Sequence, residues 1–259
     1  MSAGAERLPG AALVWSEEFD GPAGAPPDLA VWQLETGGGG WGNEELQYYT
    51  GGTENACLDG AGHLAIVARR PDRRSGQERY GGCAFTSARL NSKNRVEFRY
   101  GLVQARIKIP EGRGIWPAFW MLGSDIGEVG WPRCGEIDVM EILGQHPDVL
   151  YGAAHGPGYT EEAGTVNHRS RVSLADDFHV YSVAWEPGRI RWYLDDVRYG
   201  TMTPADLPGR PWAFDHDFFL VLNVAVGGTW PGRPSRSVVF PQTMLVDYVR
   251  LYAPGGLSA

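Results

Sequence analysis

"VEFRYGLVQARIKI", residues 96–109, alternates. Val103, Ala105, Ile107 and Ile109 recur at every second position. Side chains two apart share one face of a strand, so the period marks a half-buried β-strand rather than a helix. Outward from it the same texture repeats. "AALVW" (11–15), "GHLAIVA" (62–68), "FTSARL" (85–90), "GIWPAFWML" (114–122) and "GEIDVMEIL" (135–143) are short, β-rich and closed by turns. So are "FHVYSVAWE" (178–186), "RIRWYLDD" (189–196), "FFLVLNVAV" (218–226) and "MLVDYVRLYA" (244–253). Helical periodicity is scarce; "TPADL" (203–207) reads as a helical turn. Many short strands separated by turns predict an all-β antiparallel sandwich rather than alternating β/α units. Glycines and prolines are scattered without a long linker or a repeat, which predicts a single catalytic-sized domain over 1–259, its core about 11–253.

Charge and composition narrow the partners. The net charge is −8, and no basic run is long enough to grip a phosphate backbone. "RRPDRR" (69–74) reads as a solvated turn. Nucleic acid and anionic membranes are therefore poor partners, and a neutral substrate suits the charge. No apolar run approaches the roughly 18–20 residues a membrane helix needs. The first residues, "MSAGAERLPGAALVW", show no basic head followed by an apolar stretch, so no signal peptide is visible. Cys57, Cys83 and Cys134 allow at most one internal disulfide and match no zinc spacing; they read as small buried hydrophobes. "GGGG" (37–40) lacks the Lys-Ser/Thr of a phosphate loop and reads as a flexible turn.

Within "GEIDVMEIL" three carboxylates fall on an otherwise apolar strand. Glu136 and Asp138 share a face, but in a regular strand Glu141 points the other way. A β-bulge, which sets two residues against one on the neighbouring strand, restores the phase. Met140 is the expected extra residue, with Val139 the alternative. All three acids then share one wall, and two long glutamates leaning across Asp138 bring their carboxyls to about 5–5.5 Å, the spacing of a nucleophile and an acid/base in retaining glycosidases. Crowded carboxylates cannot all ionise cheaply, so at least one holds its proton to higher pH. The competing readings are a solvated strand face and a calcium or magnesium site, although the spacing is not that of an EF-hand.

Ten tryptophans point to a sugar cleft. An indole offers a flat apolar ring for the C–H face of a pyranose and an N–H for its hydroxyls. Trp116 and Trp120, four apart, fall on one side of a strand just before the acids; Trp131 precedes them, and Trp41 and Trp230 sit in Gly-rich loops. Trp116 and Trp230 read as sugar-facing, Trp120 as mixed, and Trp15, Trp185, Trp192 and Trp212 as core. Asn43 offers hydroxyls both donor and acceptor, against the ordinary reading of a turn asparagine. Arg89 could fork onto hydroxyls or pair with an acid. His155 more often reads as a satisfied loop histidine.

With these residues in hand, the chain resembles family-sixteen glycoside hydrolases of the bacterial laminarinase branch. The likeness runs over about residues 11–253. It is carried by "WSEEFDG", "WGNEELQYYT", "YGLVQARIKIPEGRGIWPAFWML", "GWPRCGEIDVMEILG", "DDFHVYSVAWEP", "LNVAVGGTWPG" and "VDYVRLY". The resemblance implies a concanavalin-like jelly roll with a cleft across its concave sheet. It implies Glu136 as nucleophile, Asp138 as assisting carboxylate and Glu141 as acid/base. Asn43, Arg89, Trp116, Trp120, Trp131, His155 and Trp230 are implied as substrate-binding residues. It further implies a structural calcium at Glu18, a backbone oxygen near Gly62, and Asp247, no cofactor for catalysis, a polysaccharide partner, a monomer and an extracellular location. The implied activity is endo-cleavage of β-1,3-glucan (laminarin- or curdlan-like) by double displacement. The alternatives are a transglycosylase, a hydrolase of mixed-linkage glucan, agar or carrageenan, and a non-catalytic glucan-binding module.

Overall fold

The computed structural model describes residues 8, 10–72, 79–160 and 164–254. Arg73 and Arg74 of the basic turn, residues 161–163 and most of the first nine residues lie outside this range. In chain order the strands are β1 (Ala11–Glu17), β2 (Gln33–Leu34), β3 (Gln47–Tyr49), β4 (Ala56–Leu58), β5 (Leu64–Ala68), β6 (Phe85–Ser87), β7 (Arg89–Asn91), β8 (Glu97–Phe98) and β9 (Gly101–Lys108). They continue with β10 (Ile115–Gly123), β11 (Glu136–Ile142), β12 (Val149–His155), β13 (Thr165–Arg169), β14 (His179–Glu186), β15 (Arg189–Leu194), β16 (Val197–Met202), β17 (Phe218–Val226) and β18 (Gln242–Pro254). Among the described residues, one short helix (Ile126–Val129) and a 3-10 turn (Pro204–Asp206) accompany the strands. The 3-10 turn is the helical turn expected in "TPADL".

Two antiparallel sheets result. One runs β16-β15-β14-β9-β18-β5-β4, with β1 also on β18; the other runs β13-β12-β11-β10-β17-β7-β2, with β8 also on β17. Among the described residues only the small β3–β6 pair is parallel. Their inner faces meet in the main core. Val103, Ala105, Ile107 and Ile109 all lie in it, as their alternation predicted, together with Ile137, Val139, Met140 and Ile142 of β11. Trp185 and Trp192 are fully buried there, while Trp15 and Trp212 pack on its margin. The fold is thus the all-β sandwich expected from the alternation.

The defining stretch is not one strand. Tyr100 and Gly101 both take positive φ, 64° and 130°, and the chain turns a corner between them. β8 pairs with β17 in one sheet, and β9 with β14 and β18 in the other. Gly101 is required at the corner, since a Cβ would lie 2.7 Å from the carbonyl oxygen of Tyr252. "FTSARL" divides likewise into β6 and β7. β12, "VLYGAAH", escapes a pattern reading because glycine and two alanines dilute its β signal. β13, "TVNHR", is a polar edge strand.

Candidate active site

The acids are gathered by a register shift. Against β10, Trp120 pairs with Asp138 and Phe119 with Met140, leaving Val139 without a partner. Against β12, Asp138 pairs with Ala153 and Glu141 with Tyr151, so Val139 and Met140 together face Gly152. The bulge exists as expected, but Val139, not Met140, is the extra residue against β10. Burial explains it. Val139 and Met140 both enter the core, giving two consecutive inward residues where a regular strand has one. Glu136, Asp138 and Glu141 consequently line one cleft.

That cleft, about 1070 Å³, crosses the second sheet from β7 to β13. Each glutamate accepts an indole N–H. Trp131 Nε1 donates to Glu136 Oε2 at 3.1 Å, and Trp116 Nε1 to Glu141 Oε1 at 3.0 Å. His155, opposite Glu136 in the ladder, puts Nε2 3.1 Å from Asp138 Oδ2 and 4.0 Å from Glu136 Oε1. Burial pushes the Glu136 carboxyl up to about 8, and the neighbouring Asp138 pushes it further in that direction; His155, Arg89 and the Trp131 bond oppose. Burial raises Asp138 as well. Glu141 is raised well above its ordinary range by burial first, then by Asp138, with His155 and the Trp116 bond opposing. Glu136 therefore has more help in bearing a negative charge, and Glu141 more reason to keep a proton.

On the β7 side, Arg89 lies between two indoles, its guanidinium carbon 4.9 Å from the Trp41 ring centroid and 4.7 Å from that of Trp120. Its Nε also bonds Glu35, so Arg89 pairs with an acid while lining the cleft. Trp120 Nε1 donates to Asn223 Oδ1 at 2.8 Å, and Asn223 donates to the Tyr49 hydroxyl. Asn43 donates to Glu45, which also accepts from Gln47 and Tyr49. This network fixes the cleft's polar lining. On the far side Trp230, 40% exposed, meets Trp116 and Tyr151 edge-on at 5.3 and 5.0 Å.

All ten expected catalytic and substrate-binding residues thus line one cleft. Sequence reasoning did not select Trp41, Glu45, Tyr151, Asn167 or Asn223, which line it too. Asn223 carried a signal, a lone amide within the apolar run "FFLVLNVAV"; Tyr151 carried none, because its strand was not recognised.

The metal expectations fare differently. Glu18 is forked by Arg250, at 2.9 and 2.7 Å, and Asp247 is paired with Arg106 at 2.6 Å. In this arrangement guanidinium groups occupy both carboxylates, so these side chains do not fit a shared calcium ion. Among the described residues, Glu136, Asp138 and His155 bring three ligand atoms within 4.8 Å of one another, without Glu141. All three cysteines are free. Cys134 is buried and its thiol is pushed up to about 11, first by burial and then by Glu136.

Comparison with known proteins agrees with this geometry. The sequence profile described as Glycosyl hydrolases family 16 matches residues 43–250. The chain belongs to that family. A beta-glucanase of Rhodothermus marinus is 42% identical over 95% of this chain and 87% of its own length. A glucan endo-1,3-beta-glucosidase of Niallia circulans is 36% identical over 95% of this chain, which spans only 38% of that longer protein. Among solved structures, the catalytic domain of an endo-1,3-beta-glucanase (laminarinase) from Thermotoga petrophila superposes with a TM-score of 0.86 at 44% identity, covering 95% of this chain and 99% of that one. This family 16 hydrolase is therefore a glycosidase of the jelly-roll type, with its acids on the wall where the sequence placed them.

Proposed function

We propose that this hydrolase cleaves internal β-1,3 linkages of glucan chains and retains the anomeric configuration. The observation that carries it is the pair of glutamates on one cleft wall, each held by an indole N–H, in surroundings that raise both carboxyls while His155, Arg89 and the Trp131 bond oppose the rise at Glu136. Glu141 gives its proton to the glycosidic oxygen as the bond from that oxygen to the anomeric carbon breaks. A Glu136 oxygen forms the new bond to that carbon. Water then attacks the same carbon, gives its proton to the Glu141 carboxylate, and displaces Glu136. Asp138, between them and beside His155, accepts charge and proton shifts without touching the leaving group. The β-1,3 preference rests on the relatives' named activities and the aromatic cleft.

Among the described residues no helix is long and apolar enough to cross a membrane. A polymeric substrate favours an extracellular site of action. The test is the product ladder from laminarin, lichenan and agarose, with the first-formed anomer followed by proton NMR. Laminari-oligosaccharides of mixed length with β-anomer first support the reading. A faster attack on agarose, α-anomer first, or no turnover would replace it by another hydrolase, an inverting enzyme or a binding module.

A further inference from the structure

The bulge that unites the three acids has a support that does not belong to its own sheet. A bulge takes backbone groups out of the ladder, and a buried carbonyl without a donor is costly. Trp192, on β15 of the opposite sheet and fully buried, donates its Nε1 hydrogen to the backbone oxygen of Asp138 at 2.8 Å. The opposing strand makes room for it. Gly152 is the residue that faces both Val139 and Met140, and a Cβ there would come 2.7 Å from Trp192 Nε1 and 2.9 Å from the Tyr199 hydroxyl. Any larger side chain at 152 would push the indole away from the carbonyl.

We propose that Trp192 is a positioning residue for catalysis, holding the bulge in the register that turns Glu141 onto the same wall as Glu136. This inference rests on the double-displacement reading above. Glu136 lies before the bulge and is tethered separately by Trp131. Glu141 lies beyond it, so loosening the Asp138 carbonyl moves the acid/base relative to the nucleophile. A displacement of about 1 Å at a catalytic group can cost about a hundredfold in rate.

The test separates protonation from attack. Trp192→Phe removes the N–H, and benzothienylalanine at the same position removes it without changing shape. Trp185→Phe is the control, since Trp185 is equally buried and its Nε1 bonds the Phe214 carbonyl at 3.0 Å, away from the bulge. Two substrates are compared, laminarin and a dinitrophenyl β-glycoside of a β-1,3-linked glucose disaccharide, whose leaving group needs no proton. Both position-192 variants are expected to lose about ten- to a hundredfold in kcat/KM on laminarin, and severalfold less in kcat/KM on the dinitrophenyl substrate, which reports the attack step alone. Trp185→Phe is expected to lose stability but not to show this split. Equal losses on both substrates, no loss, or the same split in Trp185→Phe overturns the inference. A wild-type chain inactive on laminarin would instead sink the proposed function.

Discussion

Glu136→Gln tests the electrostatics of the cleft and its chemistry together. The carboxyl of Glu136 is raised from 4.5 to about 8. Each tenfold change in proton affinity is about 1.4 kcal/mol, which caps the cost of ionising it in the folded state at about 5 kcal/mol. The side chain keeps 19% exposure in an open cleft, and Asp138 shares the effect, so about 1–3 kcal/mol is the expected figure. The sign follows from linkage. The folded chain holds this proton more tightly than the unfolded chain, so stability is full below the unfolded value of about 4.5 and is lost as pH rises through about 8. Glutamine has nothing to ionise and still offers an oxygen to Trp131. Thermal unfolding at about pH 5 should therefore match wild type, and at about pH 9 the variant should be the more stable. Reducing-sugar release from laminarin should fall at least about a thousandfold while oligosaccharide binding by calorimetry persists. A stability gain equal at both pH values would refute the electrostatic argument. Near-normal turnover would refute the assignment of Glu136 as nucleophile.

Three further outcomes follow from contacts around the acids and their bulge. Trp131→Phe removes a bond that stabilises the Glu136 anion, so the acid limb of the kcat/KM–pH profile should move to higher pH. Trp116→Phe removes the corresponding bond from Glu141, so the basic limb should move up instead; shifts of the opposite limbs would exchange the two roles. Gly152→Ala drives a methyl group against Trp192 and the Tyr199 hydroxyl and should cost about 1–3 kcal/mol in urea unfolding, with no loss indicating that the sheets part more easily than their packing suggests.

What was legible in the chain followed periodicity. The inward face of β9 could be read from Val103, Ala105 and Ile107 because alternation needs no knowledge of neighbours. The third acid was legible for the opposite reason, as a break of phase on β11. The identity of the extra residue was not legible, because Val139 and Met140 are both apolar and both end in the core. Only the pairing of Phe119 with Met140 decides between them, and that information resides on another strand. The corner at Tyr100–Gly101 left only a change of phase, from apolar even positions (Val96, Phe98, Tyr100) to apolar odd ones (Val103, Ala105, Ile107), and that change does not reveal that the chain moves to the other sheet. Tyr151 and Asn167 reach the cleft through β12 and β13, whose composition is too small or too polar to signal a strand.

The unlike roles of two identical side chains are likewise set across strands. Glu136 and Glu141 each have one indole donor, so the donors alone cannot separate them. What differs is the cations. Arg89 is among the leading influences on Glu136 and not among those on Glu141, and Arg89 is itself placed by Trp41 and Trp120. The stacked arginine that lines the cleft thus also biases which carboxylate ionises. Under the proposed function, sugar binding on that side and the charge on Glu136 are coupled through one guanidinium. A ring face holds a cation without taking up its N–H donors, leaving them for Glu35 and for substrate hydroxyls.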